Sequence, residues 1–582
     1  MKRMMLVILM FFILTAIMTF PLFFKINSSI PGFSSTNESY ASIWVFWNIK
    51  RCWQNKISTF HCDLIAAPFG IELGKFSLNY PLWGIIDKIL VIFTNEVFTF
   101  NFLVLFSFIL SGVFAYYLSY WVTKDFLASL FSGIVYAFCP YHFARAWQHI
   151  GLAQIQWMPL YILALLNLRQ KKTVKSAVLA SLVLFLVVSF DYYYTYFMAV
   201  ATAVFIVYLV IFEKRNKLAT VRMVFLSAAL SSLIILISAF PVFRSILFGV
   251  DSSDLAARGY TRSFDDLFQQ SARPLSYFLP TAQHPIFGKL TSIFIGSPYY
   301  GKSMTEHALY LGWVPLILAF VAVREYIKNI RIKTSNSEIR TGKNFYLGFF
   351  IFLAIVAWFF SQPPWWRWGP VKILMPSFFM YKILPMFRAY CRFGIVVMLA
   401  VSVLAGFGAK LILERIKVKG IKLLIAILFC GLVLFEFLNF PPFKVIDLTR
   451  YPVVYDWLKA QPADITIAEY PLDLDGTNEL YLFYQTKHHK KIINNTPQGS
   501  YANAVSRRIE YLGEARTAGI LRWLGVKYVL VHEDWYKNND NQEEKRKIEG
   551  IEKNNGLRLL GQFEDIKVYE VTAKPVKPEV KD

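Results

Sequence analysis

Residues 100–122 have the sequence FNFLVLFSFILSGVFAYYLSYWV, which contains no charged side chain. A helix needs about 20 apolar residues to cross roughly 30 Å of hydrocarbon, so this segment is long enough to span a membrane. Ten more apolar segments occur within residues 1–440, several of them shorter than ideal. The sequence therefore predicts a polytopic α-helical membrane protein with about eleven transmembrane helices. The other ten segments are Leu6–Phe24, Phe126–Pro140, Leu152–Leu168, Ala177–Phe190, Tyr194–Phe212, Val224–Pro241, Ala308–Val323, Phe345–Phe360, Phe393–Ala409 and Ile421–Phe440.

The composition agrees with a membrane protein. Of 582 residues, 56% are hydrophobic and only 17% are charged, and the mean hydropathy is +0.43. Soluble globular proteins contain roughly 45–50% apolar and about 25% charged residues. These differences exclude a soluble enzyme, a secreted disulfide scaffold and a disordered chain.

The formal net charge of +23 raises two classes of partner, nucleic acid and membrane. Residues 441–582 contain 21 basic and 21 acidic residues, so the whole excess lies in the hydrophobic residues 1–440. A nucleic-acid-binding protein carries its positive charge on a polar domain. We therefore predict contact with membrane lipid and no nucleic-acid partner.

The distribution of Lys and Arg predicts the orientation, because these residues concentrate in cytoplasmic loops. With the N-terminus in the cytoplasm, six short inner segments hold 22 basic and 5 acidic residues. The first segment begins like a signal peptide, but it lacks a small-residue cleavage site and is interpreted as a retained anchor. An odd number of spans then places the C-terminal region outside the cytoplasm.

Two domains are predicted: a multi-pass domain over residues 1–440, with large outer loops at 25–99 and 242–305, and an extracytoplasmic α/β domain over 441–582. The inner loops are too short for a nucleotide-binding domain, and no GxxxxGK[ST] phosphate loop occurs. Any chemistry is therefore expected on the extracytoplasmic side.

Short strands and helices are predicted in the C-terminal domain. Segments rich in β-branched residues predict strands at Ile465–Glu469, Lys527–His532 and Ile566–Val571. Helical spacing occurs at Val453–Ala460 and Arg507–Leu524. No catalytic motif is found in this domain, and a lid or an acceptor-binding module is its expected role.

Glu38 is the carboxylate of the segment Ser34–Trp47, which follows the first span and becomes aromatic. A carboxylate in this position can bind a divalent cation or take a proton from an acceptor hydroxyl. A solvated acid near a helix start is the alternative.

The loop between the third and fourth spans contains His142, Arg145 and His149. Their three- and four-residue spacing would place all three on one face of a helix at the outer membrane interface. Arg binds phosphate oxygens with two parallel hydrogen bonds, and neutral His can ligate a metal or relay protons. The alternative is an interfacial helix whose polar face meets lipid head groups.

Other charged residues lie at span ends or in outer loops, where polar side chains are costly and are often functional. Each is a candidate to hold a phosphate or orient a sugar, and each can instead pair internally or extend to the interface. These residues are Asp191, Arg258, Arg262, Glu306, His307, Arg388 and Arg392.

The five cysteines show no metal-ligand spacing, so a structural zinc site is not expected. Cys52 and Cys62 share the first outer loop, and either a disulfide or two free thiols is compatible with the sequence.

Several short stretches resemble the GT-C superfamily of membrane glycosyltransferases, and a poorly characterised bacterial group of multi-pass proteins within that pattern. They are spread over most of the chain, and each is degenerate. They are Ala67-Pro-Phe-Gly70, Pro140-Tyr-His continuing to His149 and Gln156-Trp-Met-Pro-Leu160, Glu306-His-Ala-Leu-Tyr-Leu-Gly312, Arg388-Ala-Tyr-Cys-Arg-Phe393 and Val454-Tyr-Asp-Trp-Leu458.

One position departs from that group, whose members commonly have an Asp soon after a Gly in the first outer loop. Here Gly32 is followed by Phe33-Ser-Ser-Thr-Asn, and the acid arrives only at Glu38. The resemblance implies that Glu38 is the catalytic base or a metal ligand and that His149 is a second catalytic candidate. A divalent cation such as Mg²⁺ or Mn²⁺ is the one cofactor that it suggests.

The resemblance implies transfer of a sugar from a polyprenyl-phosphate carrier to a cell-surface acceptor on the extracytoplasmic side of the bacterial inner membrane. The competing hypothesis is a transporter, a flippase or an assembly protein for lipid-linked saccharides. Transporters often contain internal repeats and helices broken near the membrane midplane. The chain shows no internal repeat, and its ionisable residues cluster at the outer interface, which favours an enzyme.

Overall fold

The computed structural model describes residues 2–32, 38–59, 61–72, 85–213, 217–238, 263–332, 342–438, 444–472, 477–497 and 499–579. The described residues form two compact units. The first comprises those within 1–25, 101–238 and 262–444, and the second comprises those within 26–100 and 445–582. Most of the first outer loop therefore belongs to the same unit as the C-terminal region. The predicted domains 1–440 and 441–582 stay a prediction.

The first unit is mainly helical, and its long helices are apolar on most of their surface, as expected for helices in contact with lipid or with one another. Short 3₁₀ turns at Leu22–Lys25, Pro274–Tyr277 and Tyr390–Phe393 connect some of them. The helices are Lys2–Met18, Glu96–Thr123, Phe126–Ala137, Pro140–Ala146, Ile150–Ala153, Trp157–Lys171, Val174–Phe190, Tyr192–Phe212, Lys217–Ser238, Asp266–Gln269, Gly288–Ser292, Trp313–Ile332, Lys343–Ser361, Pro376–Ile383, Gly394–Glu414 and Lys419–Glu436.

Each of the eleven predicted apolar segments overlaps one of these helices. In the described part of the chain, five helices are long and apolar enough to cross a membrane, or six if a bent pair counts as one span. A multi-pass helical membrane protein is thereby confirmed, whereas the number eleven stays a prediction.

The bent pair consists of Phe126–Ala137 and Pro140–Ala146, whose axes differ by 43°. Pro140 has no backbone N–H and fits only the first turn of a helix, so it starts a new helix instead of continuing the old one. The break turns the chain just before Arg145.

The helix Gly394–Glu414 lies at the centre of the first unit, and 89% of its apolar stretch is buried. Gly408 allows close packing there, because a Cβ atom at this position would overlap the carbonyl oxygen of Leu318. This helix anchors the turn Tyr390–Phe393, which carries Arg392.

The second unit is built on a five-stranded mixed sheet in which Thr466–Tyr470 is parallel to both of its neighbours. All three predicted strands are present, with ends shifted by no more than one residue. The strand order is Leu557–Phe563, Ile566–Val571, Val526–His532, Thr466–Tyr470, Lys491–Ile492.

The second unit also contains helices, two of which, Ser39–Asn55 and Ile85–Phe93, come from the first outer loop. A 3₁₀ turn at Ile551–Lys553 precedes the strand Leu557–Phe563. Three two-stranded pairs are also present in the described residues: Ser29–Pro31 with Val445–Asp447, His61–Cys62 with Ile71–Glu72, and, in the first unit, Trp365–Trp368 with Val371–Leu374.

The helices of the second unit are Ser39–Asn55, Ile85–Phe93, Val454–Lys459, Thr477–His488, Tyr501–Ser506, Ala515–Trp523, Glu533–Lys537 and Gln542–Arg546.

One helix is shorter than predicted. The pattern Arg507–Leu524 predicts one helix, but the structure has a helix only over Ala515–Trp523. The backbone N–H of Leu512 donates to the carbonyl of Lys547 at 2.7 Å instead of to a carbonyl one turn earlier. This long-range bond interrupts the helix, and local periodicity contains no sign of it.

The first outer loop joins the C-terminal region through buried polar contacts. Trp44 Nε1 donates to Gln485 Oε1 at 2.6 Å, and Gln485 Nε2 donates to the carbonyl of Leu64 at 2.8 Å. Cys52 and Cys62 are both buried free thiols, so the disulfide that the sequence left open is not formed.

Candidate functional site

Three of the predicted site residues meet in the first unit: Arg145, Glu306 and Arg392, called the ion cluster below. The Arg145 guanidinium donates to both Glu306 oxygens, with Nη1–Oε1 at 3.1 Å and Nη2–Oε2 at 2.7 Å. Arg392 approaches from another side, with Nη2 2.6 Å from Oε1 and Nε 3.1 Å from Oε2. One carboxylate therefore binds two guanidiniums.

Local structure explains how each member reaches the cluster. Arg145 lies on the short helix that starts at Pro140, and its side chain is completely buried. Arg392 lies on the 3₁₀ turn before the central helix. Glu306 lies in a loop in which Ser303 Oγ accepts its backbone N–H at 3.1 Å.

Aromatic and thiol groups enclose the ion cluster. The guanidinium carbon of Arg145 lies 4.9 Å from the ring centre of Tyr141, and that of Arg392 lies 4.5 Å from the ring centre of Tyr193. Both distances are within the range of cation–π attraction. Cys391 Sγ lies 3.2 Å from Glu306 Oε2.

The ion cluster carries an excess of positive charge. Burial by itself would raise the pKa of Glu306, but the guanidiniums of Arg145 and Arg392 outweigh burial and hold it well below its ordinary value. Glu306 is therefore ionised at neutral pH and neutralises one of the two arginines. Arg145 Nε is shielded from solvent and has no hydrogen-bond partner in the described part of the chain.

Asp191 is electrostatically linked to this region. Its Oδ1 accepts the backbone N–H of Tyr193 at 2.7 Å and caps the helix Tyr192–Phe212. Burial raises the pKa of Asp191, while the charges of Arg392 and, to a smaller degree, His149 oppose that rise.

His142 and His307 have structural partners. His142 is fully buried, with Nε2 2.8 Å from Ser107 Oγ and Nδ1 2.7 Å from the carbonyl of Ala137. His307 lies between the carbonyls of Ser303 and Ser271, at 2.9 and 3.1 Å. Burial lowers the pKa of His307.

The predicted helical face of His142, Arg145 and His149 is not formed. The helix that carries the first two ends at Ala146, and His149 precedes a separate helix, Ile150–Ala153. His149 is partly buried and is placed by the turn between these helices. The turn that follows Ala146 explains the difference, because it separates His149 from the helix that carries His142 and Arg145.

The remaining candidates lie elsewhere. Arg388 Nη1 pairs with Asp266 Oδ2 at 3.0 Å, on a partly exposed surface. Glu38 is exposed and stands directly before the helix Ser39–Asn55 in the second unit. Arg258 and Arg262 lie outside the described residues.

A metal site is the remaining prediction. The described residues contain no group of three or more His, Cys, Asp or Glu side chains that could hold a metal ion. Glu38 by itself is an incomplete set of ligands for a divalent cation. The described residues thus offer no complete ligand set for the cation that the resemblance suggested, and the cation stays a prediction.

Sequence reasoning missed three contributors to the cluster: Cys391, Tyr141 and Tyr193. Cys391 lies within the quoted stretch Arg388–Phe393. Tyr141 stands four residues before Arg145 on the helix Pro140–Ala146, a spacing that brings side chains together. Tyr193 is far from Arg392 in the sequence, so no local pattern indicates their contact.

Comparison with known proteins gives a family and a fold. A family model described as "Domain of unknown function (DUF6311)" matches residues 5–434. Among curated proteins, none matches the sequence.

Solved structures of similar fold include two of the oligosaccharyltransferase from Archaeoglobus fulgidus. The apo form has a TM-score of 0.54 at 13% identity and covers 92% of this chain and 70% of that one. The form described as AglB in complex with an inhibitory peptide and a dolichol-phosphate has a TM-score of 0.53 at 12% identity, covering 91% and 70%.

A third similar structure is a variant of the arabinofuranosyltransferase AftD from mycobacteria, with a TM-score of 0.53 at 11% identity. The match covers 99% of this chain but only 42% of AftD, so this chain spans less than half of that protein's length. These proteins are GT-C glycosyltransferases, and the chain has a GT-C-like fold. At such low identity the similarity concerns the fold alone.

Proposed function

We propose that this chain, which belongs to the DUF6311 family, is an integral-membrane glycosyltransferase. It moves a sugar from a polyprenyl-phosphate carrier to a cell-surface acceptor on the extracytoplasmic side of the bacterial inner membrane. The observation that carries this proposal is the ion cluster. Its two arginines share one carboxylate, which leaves a positive charge next to a break in an apolar helix.

The ion cluster suits an anionic group such as the phosphate of the carrier. Phosphate oxygens accept parallel hydrogen bonds from Arg, and a low-dielectric surrounding strengthens this attraction. Glu306 holds both guanidiniums in fixed orientations, so little side-chain entropy remains to be lost on binding. The dolichol-phosphate bound to the similar archaeal structure supports a lipid phosphate as the ligand.

In the proposed reaction, an acceptor hydroxyl oxygen attacks the anomeric carbon and the bond from that carbon to the carrier phosphate breaks. The hydroxyl proton passes to a carboxylate, for which Glu38 is the candidate, and the lipid phosphate leaves with the bonding electron pair. A positive charge near the leaving phosphate stabilises the charge that develops there. One direct displacement inverts the configuration at the anomeric carbon.

The experiment is transfer in vitro from a panel of polyprenyl-phosphate sugars, with and without divalent cation, using purified full-length protein. Arg392→Gln removes the excess charge and is expected to lower kcat/KM by at least tenfold, whereas Arg392→Lys retains part of the activity. Arg415→Gln, a change at an exposed arginine at the other end of the helix Gly394–Glu414 that Arg392 precedes, is the matched control.

Glu38→Gln tests the base separately. Loss of transfer with unchanged carrier binding supports the role of Glu38, and full activity of Glu38→Gln removes it from the chemistry. Full activity of Arg392→Gln with every carrier would contradict the role of the ion cluster.

A further inference from the structure

A cavity of about 470 Å³ lies in the second unit, against the helix Ser39–Asn55. Its volume is within the range of roughly 300–1,000 Å³ that small-molecule sites occupy. Five lining residues follow helical spacing and form one face of that helix: Trp47, Lys50, Arg51, Gln54 and Asn55. None of them belongs to the ion cluster. We call this cavity the Trp47 pocket.

Two cations of the Trp47 pocket differ in their partners. Lys50 Nζ donates to the carbonyl of Thr94 at 2.8 Å and lies 3.7 Å from Glu96 Oε1, so its charge is compensated. Arg51 Nε donates to a neutral side-chain acceptor, Asn48 Oδ1, at 3.2 Å.

Arg51 also has an unused donor. Its Nη2 is shielded from solvent and has no hydrogen-bond partner in the described part of the chain. The charge of Arg51 acts on Asp63, but the Asp63 carboxylate pairs with Lys491 at 3.2 Å. This nitrogen has no accessible surface and therefore does not line the cavity, so Arg51 meets a ligand in the pocket through other atoms of its side chain.

An aromatic surface stands beside this cation. The ring centres of Trp47 and His489 are 5.2 Å apart, and the Arg51 guanidinium carbon lies 6.0 Å from the Trp47 ring centre. The exposed amides of Gln54 and Asn55 add hydrogen-bonding groups on the same helix face.

We infer that the Trp47 pocket binds a saccharide that carries an acidic group, either a carboxylate or a phosphate. The acid accepts hydrogen bonds from Arg51, the apolar face of the sugar ring packs on Trp47, and the amides of Gln54 and Asn55 bond to hydroxyls. This ligand chemistry has two sources in the proposed function: the sugar phosphate of the donor and an acidic sugar of the acceptor. Only the choice between these sources rests on the proposed function.

Calorimetric titration of the purified full-length protein tests the inference with four probes: glucose, glucuronate, glucose 6-phosphate and inorganic phosphate. Both acidic sugars are expected to bind at least tenfold more tightly than glucose, and more tightly than inorganic phosphate, which offers no ring to Trp47. Tighter binding of glucuronate indicates the acceptor as source, and tighter binding of glucose 6-phosphate indicates the donor. Equal affinity for glucose and the acidic sugars, or no binding of any probe, overturns the inference.

Variants connect the binding to the named residues. Arg51→Gln is expected to weaken binding of the acidic sugars about ten- to a hundredfold, because a hydrogen bond to a charged group is lost. Arg51→Lys restores part of the affinity, and Trp47→Leu weakens acidic and neutral sugars alike. Arg516→Gln, an exposed arginine of the same unit, is the control.

The readouts separate this inference from the proposed function. Arg392→Gln is expected to lower transfer by at least tenfold but to leave binding in the Trp47 pocket unchanged. Unchanged affinity in Arg51→Gln overturns the inference, whatever the transfer assay shows. Binding that depends on Arg51 in a protein that transfers no sugar overturns the proposed function alone.

Discussion

Glu306→Gln tests the electrostatics of the ion cluster most directly. Glutamine has nearly the same shape as glutamate, but its amide group is neutral and one end of it is a donor. The change leaves the guanidiniums of Arg145 and Arg392 facing each other with no anion between them. It also forces the new NH₂ group against one of two guanidinium donors.

The expected cost follows from burial. The side chains of Arg145 and Glu306 are 0% and 10% exposed, and removing one partner of a buried ion pair costs about 3–5 kcal/mol. Arg388 and Asp266 are 36% and 23% exposed, so breaking that pair costs about 0–1 kcal/mol. Glu306→Gln is therefore expected to destabilise the protein several times more than Arg388→Gln does.

Thermal unfolding in detergent measures this difference. The sensitivity is about 2–4 °C per kcal/mol for 150–250 residues and falls with size, so about 3–10 °C is expected for Glu306→Gln. Combining Glu306→Gln with Arg392→Gln removes one charge of each sign and should recover part of the loss. A midpoint for Glu306→Gln within about 1 °C of the wild-type midpoint would refute the reasoning, because that result is expected for an exposed ion pair, whose loss costs roughly nothing.

The contribution of Glu306 to the stability of the folded protein depends on pH, and the sign of that dependence follows from its pKa. Glu306 has a lowered pKa in the folded state, so its stabilising effect is fully present above the unfolded value of about 4.3. That effect is lost as the pH falls from there through the folded pKa. The stability difference between wild type and Glu306→Gln should thus be constant from about pH 6 to 8 and shrink only under acidic conditions.

Three further predictions concern other sites. Burial raises the pKa of Asp191, so ionisation of this carboxyl lowers the stability of the protein as the pH rises. Asp191→Asn keeps the helix cap, so its thermal midpoint should match or exceed that of the wild type at pH 7. The difference should vanish at acidic pH. Gly408→Ala should lower stability by about 1–3 kcal/mol through overpacking. Gly420→Ala, at a position with open space around it, should be neutral or stabilising by up to about 1 kcal/mol. Equal thermal midpoints for the two variants would contradict the close packing at Gly408. Glu469→Gln should cost about 1–3 kcal/mol, because the fully buried Glu469 Oε2 lies 2.7 Å from His532 Nε2, and a midpoint equal to wild type would show that this contact contributes nothing.

Several features of this protein follow from local sequence. Hydropathy depends on neighbouring residues only, so the apolar segments are found at the right places, and β-branched runs locate the strands of the C-terminal sheet. The helix ends are less well predicted. The Leu512–Lys547 backbone bond divides a pattern that would otherwise continue. The turn after Ala146 likewise separates His149 from the helix face predicted with His142 and Arg145.

The composition of the ion cluster was decided by tertiary structure. Arg145 and Glu306 are 161 positions apart, and Glu306 and Arg392 are 86 apart, so no spacing rule could indicate that one carboxylate binds both arginines. The sequence supplied these residues only as separate candidates. Which of them pair is determined by the low dielectric of the folded interior, where an ion cannot remain without a partner. Both buried arginines accordingly share Glu306, whereas the partly exposed Arg388 pairs with Asp266.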